Sequence, residues 1–225
     1  MLQAVGLGKA YGARWLFQDL SFDVPPRGRL AILGRNGQGK SSLIKILGGV
    51  IPPTAGRAAW SMRSSWPLGF AGGFQGALTG IDNIRFLARV YDRPFASIID
   101  RVEGFAQLGT ALAMPVKYYS SGMRARLAFG LSLAIEFDCY LIDEVIAVGD
   151  LLFHRRCELE LFEKRADRAF IIASHDLALI QRTCERAIII EGGRAKPFED
   201  IDVALAVYAE ICADAEAGQT AGLAA

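Results

Sequence analysis

Residues 29–47 read RLAILGRNGQGKSSLIKIL, and this stretch decides the fold. The run RLAIL at 29–33 is short, apolar and ends at a glycine, which predicts a buried strand rather than a helix. From Ser41 onward Leu43, Ile44 and Leu47 recur at helical spacing until Gly48-Gly49 stops them. Between strand and helix lies GRNGQGKS at 34–41, which satisfies G-x-x-x-x-G-K-[ST]. Gly34, Gly37 and Gly39, with Arg35, Asn36 and Gln38 between them, let the main chain curl so that its N–H groups point at phosphate oxygens. The helix that starts there adds the positive end of its dipole. Lys40 supplies a point charge to the β- and γ-phosphates, Ser41 offers a hydroxyl to Mg²⁺, and Ser42 completes the expected nucleotide-phosphate set.

Outward from this unit, strand and helix alternate through the last third of the chain. Strands are expected at 139–142, 169–173 and 187–190, with helices at 151–164 and 177–184. That alternation implies βαβ units and a largely parallel sheet. Ahead of the loop, 2–7 and 20–24 read as strands, the second closed by Pro25-Pro26. The middle section, from about 69 to 136, reads as mostly helical after the glycine-rich GFAGGFQG, with helices at 82–91 and 122–135. A closing helix is expected at 200–212, and the alanine- and glycine-rich residues 213–225 are expected to be a flexible tail.

Composition narrows the function. Of 225 residues, 52% are apolar and 22% charged, so the chain is neither disordered nor of low complexity. The net charge is +1 and the basic residues are scattered, which removes the electrostatic footprint of a sequence-independent nucleic-acid binder. No apolar run reaches the ~20 residues needed to cross a bilayer, and the N-terminus lacks the features of a signal peptide. Cys139, Cys157, Cys184 and Cys212 are far apart with no CxxC pair, so reduced thiols in a cytoplasmic protein are expected and a zinc site is not.

A second element of the site is CYLIDE at 139–144, an apolar strand ending in two acids. Strand ends beside a phosphate loop are where open α/β sheets hold ligands. Asp143 would hold Mg²⁺ directly or through water, and Glu144 would polarise the attacking water. His175, in the ASHD run after the next strand, would sit on the same sheet edge within reach of a γ-phosphate.

Taken in order, Tyr11, GRNGQGKS, YSSGM (119–123), LIDE (141–144), VGD (148–150) and SHD (174–176) resemble the nucleotide-binding domain of an ABC transporter over nearly the whole chain. The resemblance implies an α/β fold of the P-loop NTPase type: a mixed sheet core, an N-terminal antiparallel β part and a helical subdomain at about 76–136. It implies one ATP-binding domain over 1–212. Tyr11 would stack on adenine, and Ser120, Ser121 and Gly122 would cap the γ-phosphate bound by a partner subunit. Asp150 would lie in the loop joining the two sites, and His175 would be the switch histidine. Two departures stand out from the usual LSGGQ signature: Ser121 replaces the first glycine and Met123 the glutamine. The glutamine that normally touches Mg²⁺ would fall near Phe70, and Gln75, the glutamine nearby, is the candidate for that contact.

Residues 65–92 and 118–150 resemble the ATPases of bacterial capsular-polysaccharide exporters. Exporters of O-antigen and teichoic acid share the second stretch in part, and many O-antigen members carry a further carbohydrate-binding domain for which 225 residues leave no room. The resemblance implies a homodimer of ATPase subunits at the cytoplasmic face of the inner membrane, using ATP and Mg²⁺. Its partners would be integral-membrane permease subunits, with periplasmic and outer-membrane export components as possible further ones, and a lipid-linked polysaccharide as cargo. The rival readings are a non-transport ABC ATPase acting on DNA or ribosomes and a P-loop kinase or GTPase. The first lacks a coiled-coil insertion in the ~85 residues between loop and signature; the second leaves YSSGM and SHD unexplained. Among smaller signals, His154 reads as a solvated face, Cys139 as a buried apolar residue, and Trp60 and Trp66 as core or partner packing. Arg124 and Arg126 read as surface charge or as phosphate contacts across a dimer.

Overall fold

The structure, a computed structural model, describes residues 1–68, 75–144 and 151–223. The expected Phe70 position and the VGD run at 148–150 lie outside the described residues. The apolar run RLAIL forms β3 (Arg29–Leu33), an interior strand of a six-stranded sheet. The sheet order is β5 (Ser64–Leu68), β6 (Cys139–Asp143), β7 (Ala169–Ala173), β3, β8 (Arg186–Glu191) and β9 (Arg194–Phe198). Neighbours pair in parallel except β8 with β9, an antiparallel hairpin. A separate antiparallel sheet has the order β2 (Arg14–Val24), β1 (Leu2–Tyr11), β4 (Ala55–Trp60).

Side chains alternate faces along a strand, and here both faces are covered. Leu30, Ile32, Leu141, Ile171 and Ile188 pack in one layer with Leu43, Ile44 and Leu47 of α1 (Lys40–Leu47) and with Leu7, Phe17 and Leu20 of the three-stranded sheet. Ala31, Leu33, Ile142, Phe170 and Ile189 belong to the opposite layer. It is filled by α2 (Gly80–Val90), α3 (Phe95–Ala106), α4 (Ser121–Ala134), α5 (Leu151–Glu158), α6 (Leu177–Thr183) and α7 (Ile201–Leu223). Two-sided burial is why β3, β6 and β7 read as continuous apolar runs rather than as alternating ones. It also leaves α1 walled between two sheets. Among the described residues no helix is long and apolar enough to cross a membrane.

Several expectations change. The helix expected at 151–164 is present, α5 running directly into a π-helical last turn, Leu159–Glu163. The closing helix does not stop at Cys212: α7 runs to Leu223, so residues expected as a flexible tail continue it. Alanine, the strongest helix former, dominates that stretch. Strands β4, β5 and β9 have no counterpart in the sequence reading. Trp60 Nε1 donates to Leu47 O at 2.9 Å, and Trp66 Nε1 donates to Ser132 Oγ at 3.1 Å with its ring edge-on to Phe137. Both tryptophans are packing residues. Cys139 is fully buried, and His154 is half-buried on α5.

Candidate nucleotide site

Strand order builds the site. The phosphate loop leaves the end of β3, whose neighbours are β7 and β8; β6 lies one strand further out. Register places Ile32 beside Ala173, Asp143 beside Ala173, and Leu33 beside Ile189. The loop, Asp143, Glu144 and His175 therefore share one edge of the sheet.

The loop's backbone needs its glycines. Gly34 has φ +154°, and a Cβ there would lie 2.5 Å from Ile190 O. Gly39 has φ +119°, with a Cβ position 3.0 Å from Leu16 Cβ. Lys40 opens α1, and its ammonium donates to Gly34 O at 2.6 Å and lies 3.3 Å from Arg35 O. Burial holds the Lys40 pKa below its ordinary value, opposed by the negative charges of Glu144 and Asp143. Ser41 Oγ donates to Asp143 Oδ1 at 2.9 Å. Burial raises the Asp143 carboxyl, while the Ser41 hydrogen bond pulls it down and Glu144 pushes it up.

Glu144 and His175 meet. His175 Nε2 is 2.8 Å from Glu144 Oε1 and 2.9 Å from Asn36 Oδ1. Two acceptor oxygens at one ring nitrogen require Nε2 to carry the hydrogen. It then has no lone pair for Lys40 Nζ, 3.5 Å away. Lys40 Nζ is also 3.9 Å from Glu144 Oε1. One lysine, two acids, one imidazole, an amide and a hydroxyl thus converge on the loop. This arrangement can bind a polyanion at Lys40 and the loop N–H groups, and can hold a proton acceptor at Glu144.

The structure places the other expected residues elsewhere. Ser120 is the N-cap of α4, its hydroxyl accepting from Met123 N–H at 3.2 Å, and Ser120 and Ser121 are exposed while Gly122 is half-buried. Buried Tyr119 anchors this segment by donating to Ala111 O at 2.6 Å. Arg124 donates to Tyr119 O at 2.7 Å, and the Arg126 guanidinium lies 5.6 Å from the Phe153 ring. Among the described residues no hydrogen bond joins the 120–122 segment to the phosphate loop of its own chain. Tyr11, at the end of β1, is 57% exposed with Lys9 Nζ 5.0 Å from its ring centroid. Gln75 is held through its main chain, which donates to Asn83 Oδ1 at 2.8 Å and accepts from Asn83 Nδ2 at 3.2 Å; no described hydrogen bond links it to Ser41 or Asp143. Sequence reasoning missed Glu191, which accepts from Gln38 Nε2 at 3.2 Å. The signal was available, since an apolar strand ending in an acid, RAIIIE at 186–191, matches the reading that picked out Asp143 and Glu144.

The chain also has known relatives. The profile of the family described as ABC transporter matches residues 17–147. The chain belongs to that family. This ABC protein is 51% identical over 197 residues to the capsule polysaccharide export ATP-binding protein CtrD of Neisseria meningitidis serogroup B, covering 88% of this chain and 91% of CtrD. To the ATP-binding protein BexA of Haemophilus influenzae it is 50% identical over 199 residues, covering 88% and 92%. Relatives named for O-antigen export and teichoic-acid export are more distant, at 33% and 34% identity. Among solved structures, a dimeric post-hydrolysis state of the ATP-binding cassette MJ0796 bound to ADP and Pi superposes with a TM-score of 0.74 at 18% identity, covering 89% of this chain and 99% of that one. That likeness shows the ABC ATPase fold. The matched span holds the phosphate loop, residues 120–122, Asp143 and Glu144, while Tyr11, His175 and Glu191 lie outside it.

Proposed function

We propose that the chain is the ATP-hydrolysing subunit of an ABC exporter that drives capsular, lipid-linked polysaccharide across the bacterial inner membrane. The observation that carries this reading is identity of one half, over about nine-tenths of both chains, to proteins named for capsule polysaccharide export. The margin over the O-antigen and teichoic-acid relatives favours capsular cargo. It also favours transport over an ATPase acting on DNA or ribosomes.

The site's chemistry supports ATP hydrolysis to ADP and phosphate. Loop N–H groups and Lys40 bind the β- and γ-phosphates. Ser41 Oγ and Asp143 Oδ1, 2.9 Å apart, are oxygen donors of the kind a hard cation takes. Mg²⁺ held there would offset the charge on the transferring phosphoryl group. Glu144 orients the attacking water and accepts its proton; His175, bonded to the same carboxylate, steadies it and faces the γ-phosphate. Tyr11 offers an open ring face to the base. Ser120, Ser121 and Gly122 lie on the outward N-terminal turn of α4 and serve the site of a second copy, so two copies sandwich two nucleotides. Permease subunits bind the pair at the cytoplasmic face of the inner membrane, and periplasmic and outer-membrane components complete the route.

The test is genetic replacement. In a capsulated strain deleted for its own export ATPase, this chain should restore surface polysaccharide and Lys40→Ala should not. Polymer retained inside cells that express an ATPase-active chain together with its own permease would overturn the cargo assignment.

A further inference from the structure

We infer that Glu191, at the C-terminal end of β8, is a positioning residue for ATP binding, fixing the curvature of the phosphate loop through Gln38 and Arg35. The inference rests on the reading of residues 34–41 as the ATP-binding loop. Gln38 Nε2 donates to Glu191 Oε1 at 3.2 Å, and Gln38 Oε1 accepts from Gly192 N–H at 3.3 Å. Both ends of one side-chain amide are thereby bonded to consecutive residues of the β8–β9 hairpin. Arg35 Nη1 lies 3.8 Å from the same Glu191 oxygen, and Gln38 N–H donates to Arg35 O at 3.3 Å. These contacts close a ring through Arg35, Gln38 and Glu191. At the loop's start, Gly34 presses against Ile190 O, the preceding residue of the same strand. β8 therefore grips the loop at two points, one on each side of the exposed Asn36-Gly37 tip.

The physical effect follows from what such a loop must do. Several N–H groups have to converge on one set of phosphate oxygens, and any freedom in the turn is lost again on binding. A carboxylate acceptor makes a stronger hydrogen bond than a neutral one. Glu191 thus restrains a glycine-rich turn that contains no large apolar side chain to pack it. Among the described residues no hydrogen bond or ion pair joins it to Lys40, Glu144 or His175, so its influence falls on affinity.

The experiment measures KM and kcat for ATP, Kd for a non-hydrolysed ATP analogue, and Tm, all on the full chain. Glu191→Ala should raise KM and Kd about five- to tenfold, the net loss expected for one hydrogen bond at a partly exposed carboxylate, with kcat changed less than about twofold. Glu191→Gln keeps an acceptor oxygen for Gln38 Nε2 and should restore most of the affinity. Gln38→Ala should raise KM similarly, and the double variant should be no worse than the more severe single one. Unchanged KM in Glu191→Ala, strictly additive effects, or a lowered Tm with normal KM would each overturn the inference. If Lys40→Ala binds the analogue as well as the parent chain, the nucleotide reading itself fails and takes this inference with it.

Discussion

Glu144 holds a left-handed backbone conformation, φ +55°, that an L side chain adopts at a cost of about 1 kcal/mol or more. Its N–H donates to Ala173 O at 2.9 Å, which docks the turn on the end of β7 and delivers the carboxylate to His175. Strain of this kind persists where the surroundings over-determine the geometry. Glu144→Gln keeps the shape and removes the proposed base. ATP binding should survive while hydrolysis slows at least ~100-fold, as read by analogue binding beside phosphate release. Unimpaired turnover would remove Glu144 from the mechanism. Gly34→Ala probes the other side of the loop. A methyl 2.5 Å from Ile190 O forces loop and β8 apart, so Tm should fall and KM for ATP should rise together; a variant indistinguishable from the parent would contradict this packing. Asp143, Glu144 and His175 were legible as residues because each follows an apolar run on one sheet edge. The Asn36–His175 and Gln38–Glu191 contacts were not, because they join positions 139 and 153 residues apart and depend on a strand order that no local pattern encodes.

Elements were legible in proportion to their burial. β3, β6 and β7 are covered on both faces and announce themselves as apolar runs. The strands that escaped are β4, β5 and β9. β5 (SSWPL) and β9 (RAKPF) are the two edges of the large sheet, and each contains a proline, Pro67 and Pro197, a residue that a central strand rarely accepts. β4 (AGRAAW) is an edge built mostly of small residues. The cysteines give an element-scale test. Cys139 begins β6, Cys157 lies in α5 and Cys184 caps α6; burial pushes each of these thiols up to about 12. Cys212, on α7, is half-buried. Iodoacetamide at pH 8 should therefore label Cys212 alone in the folded chain and all four after denaturation, by mass spectrometry. The sign of the linkage is fixed. Thiols titrating near 9.0 when unfolded and near 12 when folded favour the fold below about pH 9, and that contribution fades as pH rises toward 12. A urea midpoint that climbs across this range would contradict the buried placement.

At the scale of the molecule, the decisive geometry is that among the described residues no hydrogen bond joins the loop to the 120–122 segment of the same chain. The proposed two-copy sandwich makes a complementation prediction. Ser120→Arg and Lys40→Ala subunits should each be inactive alone. Mixed in equal amounts they should regain about a quarter of parental ATPase activity, because half the random dimers contain one intact composite site. Full activity in Ser120→Arg alone would end the sandwich reading.

The double wall around α1 has a mechanical corollary. Its Leu43, Ile44 and Leu47 are clamped between sheets, and close-packed interiors yield little under load. Sideways displacement of α1 is therefore resisted from both flanks, and its Lys40 end stays a fixed point of reference for Asp143, Glu144 and His175 on the neighbouring strand ends.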